Sequence, residues 1–344
     1  MNKPPVDRPM WQPSPERIAG ANLTAFMQQA GARWRRRFAD YAALHRWSVE
    51  HPQEFWASVW EFCGVIGDMG ATVVVDANRM PGARWFPEAR LNFAENLLRP
   101  DAHDAGLAFW GEGRAPGRIR RLDRQALYRR VARLAAAMRA DGIGPGDRVA
   151  AYMPNLPETV IVMLAAASIG AVFTSASPDF GVQGVLDRFG QVAPKLLFVA
   201  DGYRYNGKRI DCLGKVAEIA ARLPGLVRTV VCPYVQRGGH ALSAIPHATL
   251  LGDYVAPHRR VSSIEFARLP FDHPLYIMYS SGTTGVPKCI VHGAGGTLLQ
   301  HLKEHRLHCD LKPGDRLFYY TTCGWMMWNW LASGLASGAW VLLY

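Results

Sequence analysis

Apolar residues recur along most of the chain with two spacings, one typical of helices and one typical of buried strands. After Asp123, a residue type that often caps helices, Leu127, Val131 and Leu134 lie three or four positions apart and predict one helix face. Short unbroken apolar runs predict buried strands instead. We predict strands at 106–110, 148–153, 172–175, 195–200, 226–232, 275–279, 288–292, 316–320 and 340–344, and helices at 123–142, 156–169, 182–192, 208–222, 297–308 and 328–335. Strands that alternate with helices in this way indicate an α/β fold with mostly parallel sheets covered by helices.

Two parts of the chain show a weaker pattern. Residues 1–100 are rich in tryptophan and proline, and there we predict only a helix at 55–62 and an ordered closing segment at 91–98. Residues 233–268 are weakly periodic, and we expect them to cross between two sheet layers. The change of pattern after the first hundred residues predicts two domains, 1–100 and 101–344.

The charge balance is basic, with 39 basic and 28 acidic residues and a formal charge of +11. A nucleic-acid-binding surface would gather this excess into runs interleaved with aromatic residues. The best such run, Arg33–Phe38, fits a solvated face better, so we expect no nucleic-acid partner. The excess instead suits ligands that are phosphorylated or acidic.

Cysteine use and hydropathy favour a cytoplasmic protein that does not enter a membrane. Six scattered cysteines without a C-x-x-C pair indicate reduced thiols, and the polar, proline-rich start lacks the apolar segment of a secretory signal. Residues 159–178 and 317–344 are uncharged and long enough to span a bilayer, but glycines interrupt both. We expect each stretch to fold as buried helix and strand, with a membrane-associated protein as the alternative.

Residues 279–288 read YSSGTTGVPK and lie between two predicted strands. Gly282 and Gly285 let the backbone turn tightly and approach a ligand. Successive backbone N–H groups in such a turn form an anion nest, and Lys288 adds a positive charge. The spacing matches neither the G-x-x-x-x-G-K-[ST] loop nor the dinucleotide motif G-x-G-x-x-G. A phosphate-binding loop is the favoured interpretation, and a flexible surface hairpin is the alternative.

The same segment resembles the phosphate loop of the adenylate-forming enzymes, which include acyl-CoA synthetases, firefly luciferase and peptide-synthetase adenylation domains. Other segments are similar to those of family members that activate acetoacetate, and they cover nearly the whole chain: WSVE at 47–50, FWASVWEF at 55–62, LNFAENLL at 91–98, SPDFGVQGVLDRFGQVAPK at 177–195, YNGK at 205–208, GGTLLQHLKEH at 295–305 and GWMMWNW at 324–330. The resemblance implies that 1–100 is a cap shared with acetate-activating members. It also implies that 101–344 is an incomplete adenylation domain.

The resemblance implies an ATP-dependent, AMP-forming acid–thiol ligase. A carboxylate attacks the α-phosphorus of ATP, which gives an acyl-adenylate and pyrophosphate, and the thiol of coenzyme A (CoA) then displaces AMP. Because the carboxylate is already ionised, catalysis depends on neutralising two anions and on in-line positioning. The implied ligands are acetoacetate, ATP with Mg²⁺, and CoA. The alternatives are acetate, propionate or a longer acid, and, from a different class, a nucleotide- or CoA-binding module without activity.

The resemblance also assigns roles by motif match. The β- and γ-phosphates fall to Ser280, Ser281, Gly282, Thr283, Thr284, Gly285 and Lys288, with Thr283 and Lys288 acting in catalysis. The acyl group falls to Trp325, Met326 and Met327, although clusters of methionine and aromatic residues are more often core. CoA falls to Asn206, Gly207, Lys208 and Arg209 in a loop before a helix, where an Asn-Gly turn is the simpler interpretation.

Two further features carry expectations of their own. His301 and His305 share a helix face, but a zinc site needs more ligands there, so we expect a surface helix and no metal. The final apolar run, 339–344, is expected to be an open sheet edge prone to aggregation. Similar enzymes need adenine, ribose and hinge motifs and a C-terminal lysine that are not recognisable in this sequence. We therefore expect the 344 residues to form no acyl-CoA by themselves, and the oligomeric state stays open.

Overall fold

A computed structural model describes residues 10–99, 104–112, 119–236, 238–280 and 285–344. The helices are α1 Pro15–Ala19, α2 Asn22–Trp34, α3 Tyr41–Glu50, α4 Pro52–Phe62, α5 Phe93–Leu97, α6 Arg124–Ala140, α7 Pro157–Ser168, α8 Val182–Val192, α9 Leu213–Ala221, α10 Leu251–Val255, α11 Ala294–Lys303 and α12 Met326–Ser333. The strands are β1 Gly67–Asp68, β2 Val74–Val75, β3 Arg84–Trp85, β4 Arg90–Leu91, β5 Gly106–Phe109, β6 Arg120–Asp123, β7 Arg148–Tyr152, β8 Val172–Ala176, β9 Leu196–Ala200, β10 Gly202–Tyr205, β11 Lys208–Asp211, β12 Arg228–Cys232, β13 Ala248–Leu250, β14 Leu269–Pro270, β15 Pro274–Tyr279, β16 Cys289–Gly293, β17 Arg316–Phe318 and β18 Trp340–Leu343. A π-helical turn at Glu304–His308 extends α11, and 3-10 turns lie at Ala256–His258 and Gly334–Ser337.

Seven strands form the central sheet, in the order β13-β12-β9-β7-β8-β15-β16. Neighbouring strands are parallel except β15 and β16, which pair as an antiparallel hairpin at one edge. In β7, Val149 and Ala151 face one hydrophobic core while Ala150 and Tyr152 face a second. Because both faces are covered, these strands are continuous apolar runs. The predicted α/β fold with mostly parallel sheets is confirmed.

A second sheet contains four strands in the order β17-β18-β5-β6. Strand β18 is parallel to β17 on one side and to β5 on the other. The expectation that the final strand is an open edge is therefore wrong, because both sides of β18 are hydrogen-bonded. The edge strands of this sheet are β17 and β6, and Phe318 of β17 is 52% exposed. One face of this sheet borders an open groove of about 740 Å³.

Residues 10–99 contain more helix than the sequence pattern predicted. Helices α1 to α3 lie where we expected irregular chain, so that expectation is wrong. The signal that we missed is in α2, where Phe26 and Ala30 lie four positions apart and are both buried. Phe26 packs edge to face against Phe55 and Phe62 of α4, and all of these side chains join the larger hydrophobic core. The domain division at residue 100 stays a prediction.

The segment 208–222, predicted as one helix, is a strand followed by a shorter helix. Strands β10 and β11 form an antiparallel hairpin, and α9 begins only at Leu213. The hairpin turn is Asn206-Gly207, with φ values of 50° and 74°. Two positive φ values in succession are typical of a type I′ turn, which matches the twist of paired strands. The helix prediction is therefore wrong at 208–211.

Residues 233–268 add one more strand to the central sheet and then lead from it to a small separate sheet, so the chain does pass between two sheets here. Strand β13 pairs with β12 at one edge of the central sheet, and α10 follows. Strand β14 then pairs with β4 in a small sheet of order β1-β4-β14, and β15 returns to the central sheet. A separate short hairpin consists of β2 and β3.

The two uncharged stretches fold as buried helix and strand, as predicted. The first contains α7 and β8, and the second contains α12 and β18. Among the helices that the structure describes, none combines the length and the apolar character needed to cross a bilayer.

Candidate active site

The predicted phosphate loop is the connection between β15 and β16, at the edge of the central sheet. Two hydrogen bonds close its base. The Ser280 N–H donates to the Lys288 carbonyl oxygen at 3.0 Å, and the Lys288 N–H donates to Ser280 Oγ at 3.2 Å. Gly285 has a φ of 93°, which favours glycine, and the space around it is open. Ser281, Gly282, Thr283 and Thr284 lie outside the described residues, and their phosphate role stays a prediction.

Helix α8 supports the far side of this connection, residues 280–288, which we call the phosphate hairpin. The side-chain amide of Gln191 donates a hydrogen bond to the Pro287 carbonyl oxygen at 2.8 Å. Lys288 is exposed and makes no ion pair with the part of the chain that the structure describes. Its ammonium group is therefore accessible to an anion in solution.

Residues 322–330 contain the predicted acyl-binding residues, and we call them the acyl segment. This segment approaches the phosphate hairpin through Trp325. A small cavity of about 10 Å³ is lined by Trp325 together with Tyr279 and Cys323, and by neighbouring residues of β8 and β15. Trp325 is 59% exposed and Met326 is 45% exposed, while Met327 is partly buried. Trp325 lines this cavity and the two methionines do not. The structure thus brings Trp325 beside the strand that leads into the phosphate hairpin.

Buried polar contacts fix the acyl segment to the central sheet. The hydroxyl of Ser175, in β8, donates to the Cys323 carbonyl oxygen at 2.6 Å. The indole N–H of Trp328 donates to Asn155 Oδ1 at 2.8 Å, and the Trp328 ring stacks on Phe173 with ring centroids 6.1 Å apart. Because these partners follow or belong to β7 and β8, α12 begins at the carboxyl ends of the parallel strands, where ligands usually bind in such sheets.

The predicted CoA residues form the turn and second strand of the β10–β11 hairpin. The Gly207 N–H donates to Glu112 Oε1 at 2.6 Å, which holds the turn against the segment after β5. Residues just before the turn line a cavity of about 450 Å³: Tyr203, Arg204 and Tyr205. Asn206, Gly207, Lys208 and Arg209 do not line it, although they are exposed next to it. A loop before a helix was expected here, and the structure has a hairpin.

A buried carboxylate beside this cavity was not found from the sequence. Asp201 accepts backbone N–H groups from Tyr234 at 2.8 Å, Val235 at 2.9 Å and Gln236 at 2.9 Å. His240 Nε2 lies 3.1 Å from the second oxygen of the same carboxylate. These contacts hold the loop after β12 against the cavity. The available signal was an aspartate directly after the apolar run of β9.

The histidine-bearing helix is not a surface helix, so that expectation is wrong. His301 is buried with Nδ1 2.8 Å from Ser333 Oγ, and His305 is buried with Nε2 2.9 Å from the Trp330 carbonyl oxygen. Burial lowers the pKa of His301 to about 3 and that of His305 to about 4. Both rings are therefore neutral near pH 7. Within the described ranges, no group of three or more histidine, cysteine or acidic residues is placed to hold a metal ion.

The mostly parallel sheet, with a hairpin of β15 and β16 at its edge, defines the α/β class of fold. The chain belongs to the AMP-binding enzyme family, whose profile matches residues 107–344. A second profile, described as the acetyl-coenzyme A synthetase N-terminus, matches residues 41–97.

Comparison with individual proteins gives the same family. The chain is 55% identical to an acetoacetyl-coenzyme A synthetase of Rhizobium meliloti (strain 1021), over 98% of this chain and 51% of the relative. It is 44% identical to a malonamoyl-CoA synthetase of Penicillium aethiopicum, over 94% of this chain and 46% of the relative. The solved acetoacetyl-CoA synthetase from Streptomyces lividans matches with a TM-score of 0.90 and 43% identity, covering 98% of this chain and 51% of that one. The resemblance predicted from the sequence motifs is confirmed, and the chain spans about half the length of the relatives that it matches.

Proposed function

We propose that this chain acts in the ATP-dependent ligation of acetoacetate to CoA, with AMP and pyrophosphate as products. The observation that carries the proposal is that β15, the strand that leads into the phosphate hairpin, shares a small cavity with Trp325 in a chain of the AMP-binding enzyme family. The relatives named as acetoacetyl-CoA synthetases support acetoacetate as the acid. The place of action that we propose is the cytoplasm, without a nucleic-acid or membrane partner.

The reaction has two displacement steps. First, a carboxylate oxygen of acetoacetate forms a bond to the α-phosphorus of Mg²⁺-bound ATP, and the bond from that phosphorus to pyrophosphate breaks. Second, the CoA thiolate forms a bond to the acyl carbon, AMP leaves, and the thiol proton goes to solvent. No general base is needed in the first step because the carboxylate is already ionised at neutral pH.

The residues of this chain contribute charge neutralisation and positioning. In our proposal, Lys288 and the backbone N–H groups of the hairpin bind the β- and γ-phosphates, so that pyrophosphate leaves as a stabilised anion. The hydroxyls of Ser280, Ser281, Thr283 and Thr284 add hydrogen-bond donors, and Gly282 and Gly285 leave room for the phosphates. Holding the two anions in line then lowers the barrier to attack.

The acid is bound, in our proposal, against Trp325, Met326 and Met327. Malonamate, the acid implied by the name of the Penicillium aethiopicum relative, differs from acetoacetate by an amino group in place of the terminal methyl. These three side chains favour the methyl, because an indole and two thioethers offer no strong acceptor for the amide hydrogen bonds. Acetoacetate is therefore our first candidate, and malonamate or a short unsubstituted acid is the second.

CoA approaches, in our proposal, along the β10–β11 hairpin. Lys208 and Arg209 are exposed there and suit the phosphates of its nucleotide end. The cavity of about 450 Å³ beside the hairpin lies between this turn and the acyl segment, since Thr322 also lines it. It offers a path for the pantetheine arm toward Trp325.

The test is to measure Mg-ATP binding to the chain and acetoacetate-dependent AMP formation, beside the Rhizobium meliloti relative. Lys288→Ala is expected to weaken ATP use by about 10- to 150-fold, which corresponds to the loss of one charge-assisted contact of about 1.5–3 kcal/mol. Lys215→Ala, which lies on α9 outside the hairpin, is the matched control and should behave like the parent. If the KM and the Kd for ATP were unchanged in Lys288→Ala, Lys288 would not bind the β- and γ-phosphates as we propose.

An acid panel tests the substrate. Acetoacetate, malonamate, acetate and propionate are supplied one at a time with ATP and CoA, and acyl-CoA is quantified. We expect the relative to prefer acetoacetate and this chain alone to form little product. If the chain turned over within tenfold of the rate of the relative, the adenine, ribose and hinge motifs and the C-terminal lysine would be dispensable. No acid-dependent AMP formation in either protein would refute the ligase assignment.

A further inference from the structure

Arg188, in the middle of α8, directs its guanidinium group back toward the start of that helix. Its Nη1 donates a hydrogen bond to the Gly184 carbonyl oxygen at 2.7 Å. The guanidinium carbon lies 4.6 Å from the ring centroid of Phe180 and 5.8 Å from that of Tyr279. Two aromatic faces thus hold the cation, and the side chain is partly buried. Contacts with these two rings, and not free rotation in solvent, therefore determine the position of the Arg188 guanidinium group.

The two aromatic residues come from different parts of the candidate active site. Tyr279 is the last residue of β15 and precedes the phosphate hairpin directly. Phe180 packs against the acyl segment, because a Cβ built on Gly324 would lie 3.5 Å from two carbons of the Phe180 ring. The guanidinium of Arg188 therefore stands between the phosphate hairpin and the acyl segment. Gln191, on the same helix, contacts the hairpin at Pro287, so the second half of α8 borders the site.

The charge of Arg188 has no carboxylate partner within the ranges that the structure describes. Two other partly buried arginines form ion pairs, Arg228 with Asp141 and Arg120 with Glu158, while Arg148 and Arg306 donate to backbone carbonyl oxygens. Arg188 uses one N–H for the Gly184 carbonyl oxygen and forms no ion pair with any residue that the structure describes. A guanidinium carries five N–H donors in a planar fork that matches the oxygens of a carboxylate or a phosphate. A cation held in place without its own counter-charge is an arrangement suited to an external anion.

We propose that Arg188 binds an oxyanion of the substrates, between the phosphate hairpin and Trp325. The ligand group is an anion with two oxygens on one phosphorus or carbon atom. It is either a phosphate of the nucleotide or the carboxylate of the acid. Lys288 contributes a single exposed ammonium group on the hairpin, whereas Arg188 contributes a partly buried guanidinium group with several N–H donors. The inference rests on the proposed function for the identity of these anions, but not for the anion binding itself.

The experiment measures binding of three probes to the full 344-residue chain by equilibrium dialysis: inorganic pyrophosphate, Mg-ATP and acetoacetate. Arg188→Met removes the charge and keeps an unbranched side chain, while Arg188→Lys keeps the charge and removes the fork. Arg222→Met is the matched control, because Arg222 also contacts α8, through Gln183, but lies outside the site. Near-UV circular dichroism and the melting temperature establish that each variant is folded.

We expect Arg188→Met to weaken at least one probe tenfold or more, Arg188→Lys to restore part of that loss, and Arg222→Met to bind like the parent. Loss confined to pyrophosphate and Mg-ATP identifies a phosphate contact, and loss confined to acetoacetate identifies the carboxylate.

Unchanged binding of all three probes in folded Arg188→Met would overturn the inference while leaving the proposed function in place. If the parent bound pyrophosphate through Arg188 but neither Mg-ATP nor acetoacetate, the inference would stand and the proposed function would fail. A parent chain that binds none of the probes would overturn the inference. If Arg188→Met does not fold, Arg188→Lys decides, since binding equal to the parent would show that the fork is not used.

Discussion

The hydrogen bond between Asn155 and Trp328 gives a prediction that depends only on the fold. Asn155 is 7% exposed and Trp328 is fully buried, so neither group can exchange its partner for water. The Trp328 indole N–H donates to Asn155 Oδ1 at 2.8 Å, and the Asn155 amide reaches the Tyr344 carbonyl oxygen at 3.4 Å. This residue therefore joins the start of α12 to the segment after β7.

The perturbation is Asn155→Leu, which keeps the branched shape of the side chain and removes both polar atoms. The indole N–H is then left buried without an acceptor, which costs about 1–3 kcal/mol of unfolding free energy. The contact to Tyr344 adds little because 3.4 Å is a long hydrogen bond. The expected loss of stability is therefore set by the orphaned N–H of Trp328.

A double-mutant cycle with Trp328→Phe isolates that cost. Phenylalanine has no N–H, so Asn155→Leu in this background leaves no orphaned donor and should cost less than about 1 kcal/mol. The assay is equilibrium unfolding in urea followed by far-UV circular dichroism, because tryptophan fluorescence would itself change with the second substitution. If Asn155→Leu cost the same in both backgrounds, within about 0.3–0.5 kcal/mol, the hydrogen bond would not be what anchors α12.

Three further predictions concern the acyl segment, the buried histidines and the open strand edge. Replacing Met326 or Met327 with phenylalanine or isoleucine should shift the kcat/KM ratio between acetoacetate and acetate by about 10- to 200-fold, and an unchanged ratio in both variants would remove these residues from the pocket. Burial lowers the pKa of His301 and His305 in the folded state, so the unfolded state binds more protons below about pH 6.5 and stability falls as the pH falls. Protonation of each histidine in the unfolded state should lower the free energy of unfolding by about 2 kcal/mol between pH 7 and pH 5. His305→Phe should reduce the pH dependence of that free energy, measured by urea unfolding, by about the same amount. An unchanged pH dependence would mean that the ring is not buried as neutral imidazole. Phe318→Lys on β17 should raise the protein concentration at which light scattering detects aggregates, and no change would show that this edge is already protected.

Much of the architecture could be predicted because its signals are local. The helical spacing after Asp123 and the apolar run of β7 are readable within a few neighbouring residues, and both elements have nearly the predicted bounds. The signal for the predicted phosphate hairpin was also local, since that prediction rests on two glycines and a lysine in one short segment. The miss in α2 was avoidable, because Phe26 and Ala30 already had helical spacing.

The sequence by itself determined the α/β class and the family resemblance, and it supplied the prediction of a phosphate loop at YSSGTTGVPK, because each rests on the order of side chains within one segment or on the alternation of segments. Tertiary structure alone decided which strands pair and which side chains meet. β18 reads as an exposed end but is flanked by β5, more than two hundred positions away, because hydrogen bonding between parallel strands does not depend on sequence separation. His305 reads as a polar surface residue but is buried, since its helix packs against Trp330. Arg188 acquires its position in the candidate site only when β15 and the acyl segment converge on α8. Contacts of this kind are formed by packing between distant segments, which local patterns do not encode.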